Sequence, residues 1–238
     1  MTPEQLQELL KSGVTARRRG DWDPAREHFR RLLDAGQAEG AAEISLAAEA
    51  HLALLADDRE AAEDAVARLV ALAPSSPAAA ALGMLLVEQW PPPPRPCETH
   101  LVARKGTFRR LCRKLPRPEE IALELGASHG LATQYLGLKC ALAYGIEKSP
   151  EMAARARAAT AHLPNVRIIE VDAREPGLVR AHVPHADLVF LDIGGSTPIR
   201  NVLQTARLYG EVYQPRIMVI RSVWLNTFVA GLASFEKQ

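Results

Sequence analysis

The sequence predicts an α/β protein in which an all-α helical-repeat domain precedes a doubly wound parallel sheet. From residue 121 onward, short apolar runs alternate with helix-like segments, and most of these runs end in an acidic residue. Residues 1–90 are instead rich in Ala, Leu, Glu and Arg, and their prolines lie at edges and turns. We therefore place an all-α domain at 1–90, a proline-rich linker at 91–96 and the sheet domain at 97–238.

Composition limits the function. The chain is 47% hydrophobic and 24% charged, as ordinary globular proteins are. No apolar run approaches the ~20 residues that cross a bilayer, and the N-terminus lacks a basic-then-apolar signal, so we expect a cytoplasmic protein without membrane contact. Cys97, Cys112 and Cys140 are widely spaced and form no Cys-x-x-Cys pair. This spacing favours reduced thiols and predicts no metal site.

Charge divides the chain into two unlike parts. Residues 1–90 contain 9 Lys and Arg against 15 Asp and Glu, a net charge of −6. Residues 91–238 contain 20 against 13, a net charge of +7. An acidic front part and a basic back part indicate two domains with different partners.

The acidic part contains a degenerate internal repeat. Gly20 ends a first predicted helix, Asp21 can cap the next one, and the small Ala25 allows the two helices to pack closely. A second copy follows 37 residues later, and its corresponding positions pair Ala62 with Ala25, Val66 with Phe29, Leu69 with Leu32 and Pro74 with Gln37. A helix at Pro77–Gln89 would cover the end of the array.

This spacing resembles a pair of tetratricopeptide repeats with a cap, although an unspecialised helical hairpin domain is the alternative. We expect the module to contact a protein partner. Since solenoids generally need about three repeats, docking on the sheet domain or formation of a homodimer could be required for stability.

A basic segment opens the sheet domain. Four apolar residues in 104–117 share one helical face, so the basic residues must lie on the other faces. The seven basic residues are Arg104, Lys105, Arg109, Arg110, Arg113, Lys114 and Arg117. Two interpretations stay open: the helix follows the phosphate backbone of an RNA, or it is a solvated amphipathic helix that covers the edge of the sheet.

Acidic residues lie at the ends of four predicted strands. Glu124 is near the end of the strand at 121–125, and the strands at 141–146, 166–171 and 186–191 are followed by Glu147, Asp172 and Asp192. A fifth strand, at 215–220, is followed by Arg221. Ligands of open parallel sheets bind outside the carboxyl ends of the strands. Gly126 and Gly130 would let the backbone approach such a ligand, and Glu147 would face the hydroxyls of a ribose.

These segments resemble class I S-adenosylmethionine-dependent methyltransferases, which have a Rossmann-like sheet, and most nearly the fibrillarin-like RNA 2′-O-methyltransferases. The matching pieces are residues 125–130, 145–150, 172–173 and 183–195. A dinucleotide dehydrogenase would show Gly-x-Gly-x-x-Gly or Tyr-x-x-x-Lys, and neither is present.

The resemblance implies a cofactor, S-adenosyl-L-methionine, and a set of residues around it. Glu147 would bind the ribose hydroxyls and Asp192 would lie beside the methyl group and orient the nucleophile. The remaining implied contacts are Gly126, Ala127, Ser128 and Gly130 for the methionine part and Asp172 with Ala173 for the adenine, while Glu124 joins the set through its place at a strand end. Lys105 is a second catalytic candidate, and the acceptor could be RNA or protein.

Some positions depart from the fibrillarin-like pattern. That pattern has a lysine after the fifth strand, where this chain has Arg221, and arginine stays protonated and cannot act as a general base. Sixteen residues follow Ser222, too few for a helix plus the usual closing hairpin, so the sheet domain is predicted to be C-terminally shortened. The alternative function is therefore a non-catalytic or degenerate methyltransferase-like scaffold that binds proteins through its helical repeats.

Overall fold

The computed structural model describes residues 1–35, 41–194 and 197–235, with the backbone alone for 233–235. The chain forms two compact units. The first comprises Met1–Pro91 and Arg180–Pro184, and the second comprises Pro92–Val179 and His185–Gln238. Two positions used above, Gln37 of the repeat and Gly195 at the end of the 183–195 segment, lie outside the described residues.

The first unit contains five helices within the described residues, and each contacts the next along the chain. They are α1 (Pro3–Arg19), α2 (Trp22–Asp34), α3 (Ala42–Leu55), α4 (Arg59–Leu72) and α5 (Pro77–Gln89). Gly20 ends α1 in the left-handed conformation at φ 81°, as predicted. Asp21 occupies the N-cap position of α2, as predicted, but its side chain makes no cap hydrogen bond. Asp58 does cap α4 by accepting a hydrogen bond from the Ala61 N–H at 3.0 Å.

Small residues allow these helices to approach closely. Ala25 and Phe29 are fully buried, and the imidazole of His51 stacks on the Phe29 ring with centroids 4.7 Å apart. A Cβ at Gly13 would lie 2.7 Å from the same ring. The aromatic ring of α2 therefore occupies the space that a side chain at Gly13 would need.

The second unit contains a six-stranded, wholly parallel sheet with helices on it, which confirms the predicted fold class. Its strands are β1 (Glu98–Val102), β2 (Ile121–Leu125), β3 (Leu142–Ile146), β4 (Val166–Ile169), β5 (Leu188–Leu191) and β6 (Ile217–Arg221). They lie in the order β1-β6-β5-β2-β3-β4. The sequence analysis did not predict β1, which pairs with β6 at one edge of the sheet.

Helices cover the two faces of the sheet. On one face lie α6 (Lys105–Lys114), α7 (Leu131–Gly137) and α8 (Pro150–Thr160), each in contact with the next. The basic helix α6 buries Phe108 and Cys112 on the sheet, as the apolar positions predicted. The other helices are α9 (Pro176–His182), α10 (Ile199–Tyr213) and α11 (Val223–Phe235). No helix in the described ranges is both long and apolar enough to cross a membrane.

Candidate functional site

A cleft of about 490 Å³ opens at the carboxyl ends of the strands. It is lined by the last residues of β3 and β6, by residues that follow β2 to β5, and by residues of α6, α8 and α10. Seven residues from the sequence prediction meet in this strand-end cleft: Lys105, Gly126, Ser128, Glu147, Asp172, Ala173 and Asp192. Its volume lies within the roughly 300–1,000 Å³ typical of small-molecule sites.

Glu147 is held in the cleft by backbone donors. One carboxylate oxygen accepts a hydrogen bond from the Ser128 N–H at 2.8 Å, and the other accepts one from the Ser149 N–H at 2.9 Å. Its own N–H donates to the Ile169 oxygen, which continues the ladder between β3 and β4. Each oxygen keeps a further lone pair, so the carboxylate can accept two more hydrogen bonds from a ligand.

The turn after β2 is shaped by three residues with positive φ: Gly126 at 91°, Ser128 at 50° and Gly130 at 79°. A Cβ at Gly126 would overlap the backbone oxygen of Asp192, so this glycine lets the loops after β2 and β5 touch. A Cβ at Gly130 would lie 2.9 Å from the Ala156 Cα. Gly130 therefore serves the packing of α7 on α8, and it is not among the residues that line the cleft.

Three predicted cofactor contacts do not line the cleft: Glu124, Ala127 and Gly130. Glu124 is 2% exposed, and its carboxylate accepts a hydrogen bond from the Thr133 hydroxyl. Burial raises the pKa of Glu124 to about 8, and the neighbouring Asp192 charge raises it further, while the Thr133 bond opposes both. Its place in the penultimate position of β2 turns the side chain toward α7, which the strand-end argument overlooked.

Asp172 reaches the cleft with a cation already beside it. Arg174 contacts its carboxylate through Nη2 at 2.6 Å, and the Arg174 N–H donates to Oδ1 at 2.9 Å. The side-chain hydrogen bond from Arg174 is the main reason that the pKa of Asp172 lies below its usual range. Lys148, at 4.0 Å, adds a weaker attraction. Asp172 therefore stays ionised at neutral pH.

Asp192 and Arg221 form an ion pair on the other side of the cleft. Arg221 Nε lies 2.6 Å from one carboxylate oxygen and Nη2 lies 2.5 Å from the other. The side chains are only 7% and 16% exposed. Strands β5 and β6 are neighbours in the sheet, so Asp192 after β5 meets Arg221 at the end of β6. Arg221, which the sequence analysis noted only as a departure from a pattern, is thus the direct partner of the predicted catalytic Asp192.

Lys105 is exposed at the rim of the cleft, where it begins α6. In the described part of the chain, none of the seven basic residues at 104–117 forms an ion pair with a carboxylate, whereas eleven other arginines do. Arg113 lies over the Tyr135 ring at 4.5 Å. In the part of the chain that the structure describes, this segment therefore offers cations without a direct ion-pair partner, although Arg109 interacts electrostatically with Glu124.

Several lining residues were not predicted from the sequence. Met152 on α8 and the segment around Thr197, Pro198 and Asn201 before and within α10 reach the cleft. The Thr197 hydroxyl donates to the Ile193 oxygen at 2.9 Å. The sequence signal near these residues is a glycine at 194 and a proline at 198, but local patterns do not specify which way a loop folds.

Comparison with known proteins finds structures with a similar fold but assigns the chain to no family. No family model matches the chain, and no curated protein matches it. Among solved structures, precorrin 8w decarboxylase from Methanobacterium thermoautotrophicum is 19% identical, with a TM-score of 0.43 over 54% of this chain and 68% of that one.

Two further structures are less similar in shape. Fibrillarin from Aeropyrum pernix, with natively bound S-adenosyl-L-methionine, is 23% identical at a TM-score of 0.37 and covers 44% of this chain and 48% of that one. A dimethyladenosine transferase from Plasmodium falciparum is 20% identical at a TM-score of 0.34, over 44% and 38%. The chain thus spans less than half the length of these two proteins.

Proposed function

We propose that the strand-end cleft binds S-adenosylmethionine and that the protein is a methyltransferase that uses it. The observation that supports this proposal most strongly concerns Glu147. Its carboxylate follows β3 beside the glycine turn and is fixed by two backbone N–H donors. A carboxylate held in this way is oriented before a ligand arrives, so it can accept both hydroxyls of a ribose at a low entropic cost.

The other lining residues fit the remaining parts of this cofactor. Asp172 and Ala173 would meet the adenine amine and ring edge, and the apolar side chains of Ile146 and Met152 would contact the flat faces of the ring. Gly126 and Ser128 would border the methionine part. When bound, S-adenosylmethionine would supply an activated methyl group at a positively charged sulfur.

The chain would contribute positioning and electrostatics to the transfer. Asp192 would orient the nucleophile by accepting a hydrogen bond, because the two contacts from Arg221 hold its carboxylate in place. Arg221 cannot serve as the base, since a guanidinium stays protonated. Lys105 at the rim is the second catalytic candidate, because it begins α6 beside the cleft and its ammonium can reach a bound acceptor.

RNA is the acceptor class that the basic helix α6 favours. Its cations have no direct ion-pair partners among the described residues, and the helix begins in the cleft at Lys105. A Cβ at Gly106 would meet nothing within 4 Å, so the backbone there is open to a close phosphate. The five cations of α6, with Arg104 before it and Arg117 after it, would neutralise several phosphates of a strand that leads toward the cleft.

Methyl transfer from labelled S-adenosylmethionine to mixed cellular RNA and to mixed cellular protein tests this function. We expect label in RNA, loss of transfer in Lys105→Ala with cofactor binding intact, and weaker RNA binding in Arg110→Ala. The log of the RNA affinity should fall by about 0.7–0.9 per phosphate contacted for each unit of log salt. Label in protein alone would exclude the RNA acceptor, and RNA binding without a salt slope would return α6 to a structural role.

A groove in the first unit favours a second candidate, a protein-binding scaffold. This groove of about 850 Å³ has apolar walls that include Leu10, Val14 and Met84 and a basic rim at Arg17 and Arg18. It would suit an extended segment with apolar and acidic side chains. Burial and the two arginines lower the pKa of the lining residue His51 to about 3, so its imidazole would stay neutral beside such a segment.

Independent folding of the first unit tests the scaffold candidate. A fragment of residues 1–91 should give a helical circular-dichroism spectrum and unfold cooperatively. A fragment that remains unfolded even after residues 97–238 are added would contradict a modular protein.

A further inference from the structure

Helix α11 exposes an unusual amount of apolar surface. Every residue from 227 to 232 is exposed. Five large apolar side chains of the helix are 43–57% exposed: Val223, Trp224, Phe228, Val229 and Leu232. With side chains of this size, they present on the order of 400–500 Å² of apolar surface, near the upper end for the largest patch on a monomer.

The helix is weakly anchored within its own chain. Its contacts with the rest of the unit lie near its start, where Leu225 is 7% exposed and the Asn226 amide lies 3.5 Å from the Leu101 oxygen. A helix that is apolar on all sides belongs in a buried setting, and one of 13 residues is marginal in water without packing. We therefore expect the exposed part of α11 to pack against another molecule, which would cover it.

Gly231 gives a second, independent indication. It lies inside α11 with a right-handed backbone, and a Cβ there would meet nothing within 4 Å. Among the described residues, neither backbone conformation nor side-chain packing requires a glycine at this position, and glycine weakens a helix relative to alanine. A glycine here leaves room for the backbone of another helix to approach closely, because it has no side chain.

The chemistry of α11 favours a second copy of the chain as the cover. The helix carries no charged residue, so two copies can face each other about a two-fold axis without like-charge repulsion. Helices that lie on membranes usually carry Lys or Arg on a polar face, and α11 has none. Trp224, Phe228 and Leu232 share one face of the helix, and pairing them between two copies would bury on the order of 600–700 Å², the size of a weak interface rather than of a standard one.

We propose that α11 is a homodimer contact, in which Trp224 and Phe228 pack against the same residues of a second copy and Gly231 lies where the two helices cross. An interface of this size predicts a reversible dimer that dissociates in the micromolar range. The contact does not depend on cofactor binding or on methyl transfer.

Sedimentation equilibrium of the full chain between about 1 and 100 µM tests the proposal. We expect wild type to pass from monomer to dimer over this range. Phe228→Glu should weaken dimerisation at least about tenfold, because it places two charges in an apolar contact. Leu203→Glu, at a residue on α10 that is 50% exposed, is the matched control and should dimerise as wild type does.

Gly231→Ala separates a packing role from a general loss of structure. This change should raise helix content by circular dichroism while weakening the dimer severalfold. The proposal is overturned if wild type stays monomeric at 100 µM, if Phe228→Glu dimerises like wild type, or if Gly231→Ala strengthens the dimer. Binding of α11 to neutral phosphatidylcholine vesicles, lost in Phe228→Glu while dimerisation is unchanged, would assign the patch to lipid instead.

Discussion

The two halves of the strand-end cleft hold their carboxylates in different ways. On the β3 side, Glu147 is fixed by backbone N–H groups, which add no net charge and leave the carboxylate available to a ligand. On the β5 side, Asp192 is compensated by the Arg221 guanidinium. Acids at the ends of two strands that flank β2 therefore have different uses: Glu147 suits recognition of neutral hydroxyls, and the Asp192–Arg221 pair suits orientation of a reacting group.

The largest expected effect follows from breaking the ion-paired half. Arg221→Met leaves the largely buried Asp192 charge without its partner, so we expect a loss of about 3–5 kcal/mol in unfolding free energy, measured by urea denaturation. Arg207→Met is the control, because the Arg207–Glu211 pair is 67% and 56% exposed and should be worth less than about 1 kcal/mol. Adding Asp192→Asn to Arg221→Met should restore part of the stability. Equal losses in the two single variants would contradict the buried-pair account.

A smaller effect on stability is expected where the loops after β2 and β5 touch. Gly126→Ala places a methyl group against the Asp192 backbone at a φ of 91°, which should cost roughly 1–3 kcal/mol from conformation alone. Gly106→Ala, at a position with open space around it, should be neutral or slightly stabilising. Thermal unfolding of both variants gives the comparison. A stable Gly126→Ala variant would mean that the loops after β2 and β5 are not in contact in solution.

Glu124, the acid beneath the cleft, should affect mainly the pH dependence of the unfolding free energy. Since the pKa of Glu124 is raised from 4.5 to about 8 in the folded protein, its protonated form is favoured by folding. The stability it contributes is complete below about pH 4.5 and is lost as the pH rises to about 8. Glu124→Gln should remove this downward slope in the unfolding free energy between pH 5 and 8. An unchanged slope in Glu124→Gln would show that the acid is ionised in the folded state.

Much of the fold was predictable because its signals are local. The strand at Ile121–Leu125 and the helix at Pro77–Gln89 were predicted at the bounds that the structure has. β1 was missed because an edge strand pairs on one side only, so its sequence, Glu-Thr-His-Leu-Val, is half polar and lacks the apolar run of a central strand. Helix α11 was not predicted either. The residues after Ser222 are too few for a helix plus the usual closing hairpin, but they suffice for a helix alone.

The site was predictable in part, for a physical reason. Chain position fixes which residues follow a strand, and this brought Glu147, Asp172 and Asp192 to one cleft. Whether a side chain points into the cleft or beneath it depends on its position in the alternation of the strand and on the neighbouring helix. For this reason Glu124 lies beneath the cleft and contacts Thr133. The partner of Asp192 depends on strand order, and sequence patterns do not specify that β6 lies beside β5.

Calorimetric titration of the purified protein with S-adenosylmethionine and its demethylated product tests the central claim most directly. We expect both to bind, and Glu147→Ala to bind about tenfold or more weakly, since a charge-assisted hydrogen bond is worth roughly 1.5–3 kcal/mol. Glu151→Ala, at an exposed residue of α8, should bind as wild type does, and a thermal melt of each variant controls for folding. An absence of heat with either ligand at millimolar concentration, in a protein that melts cooperatively, would contradict the account.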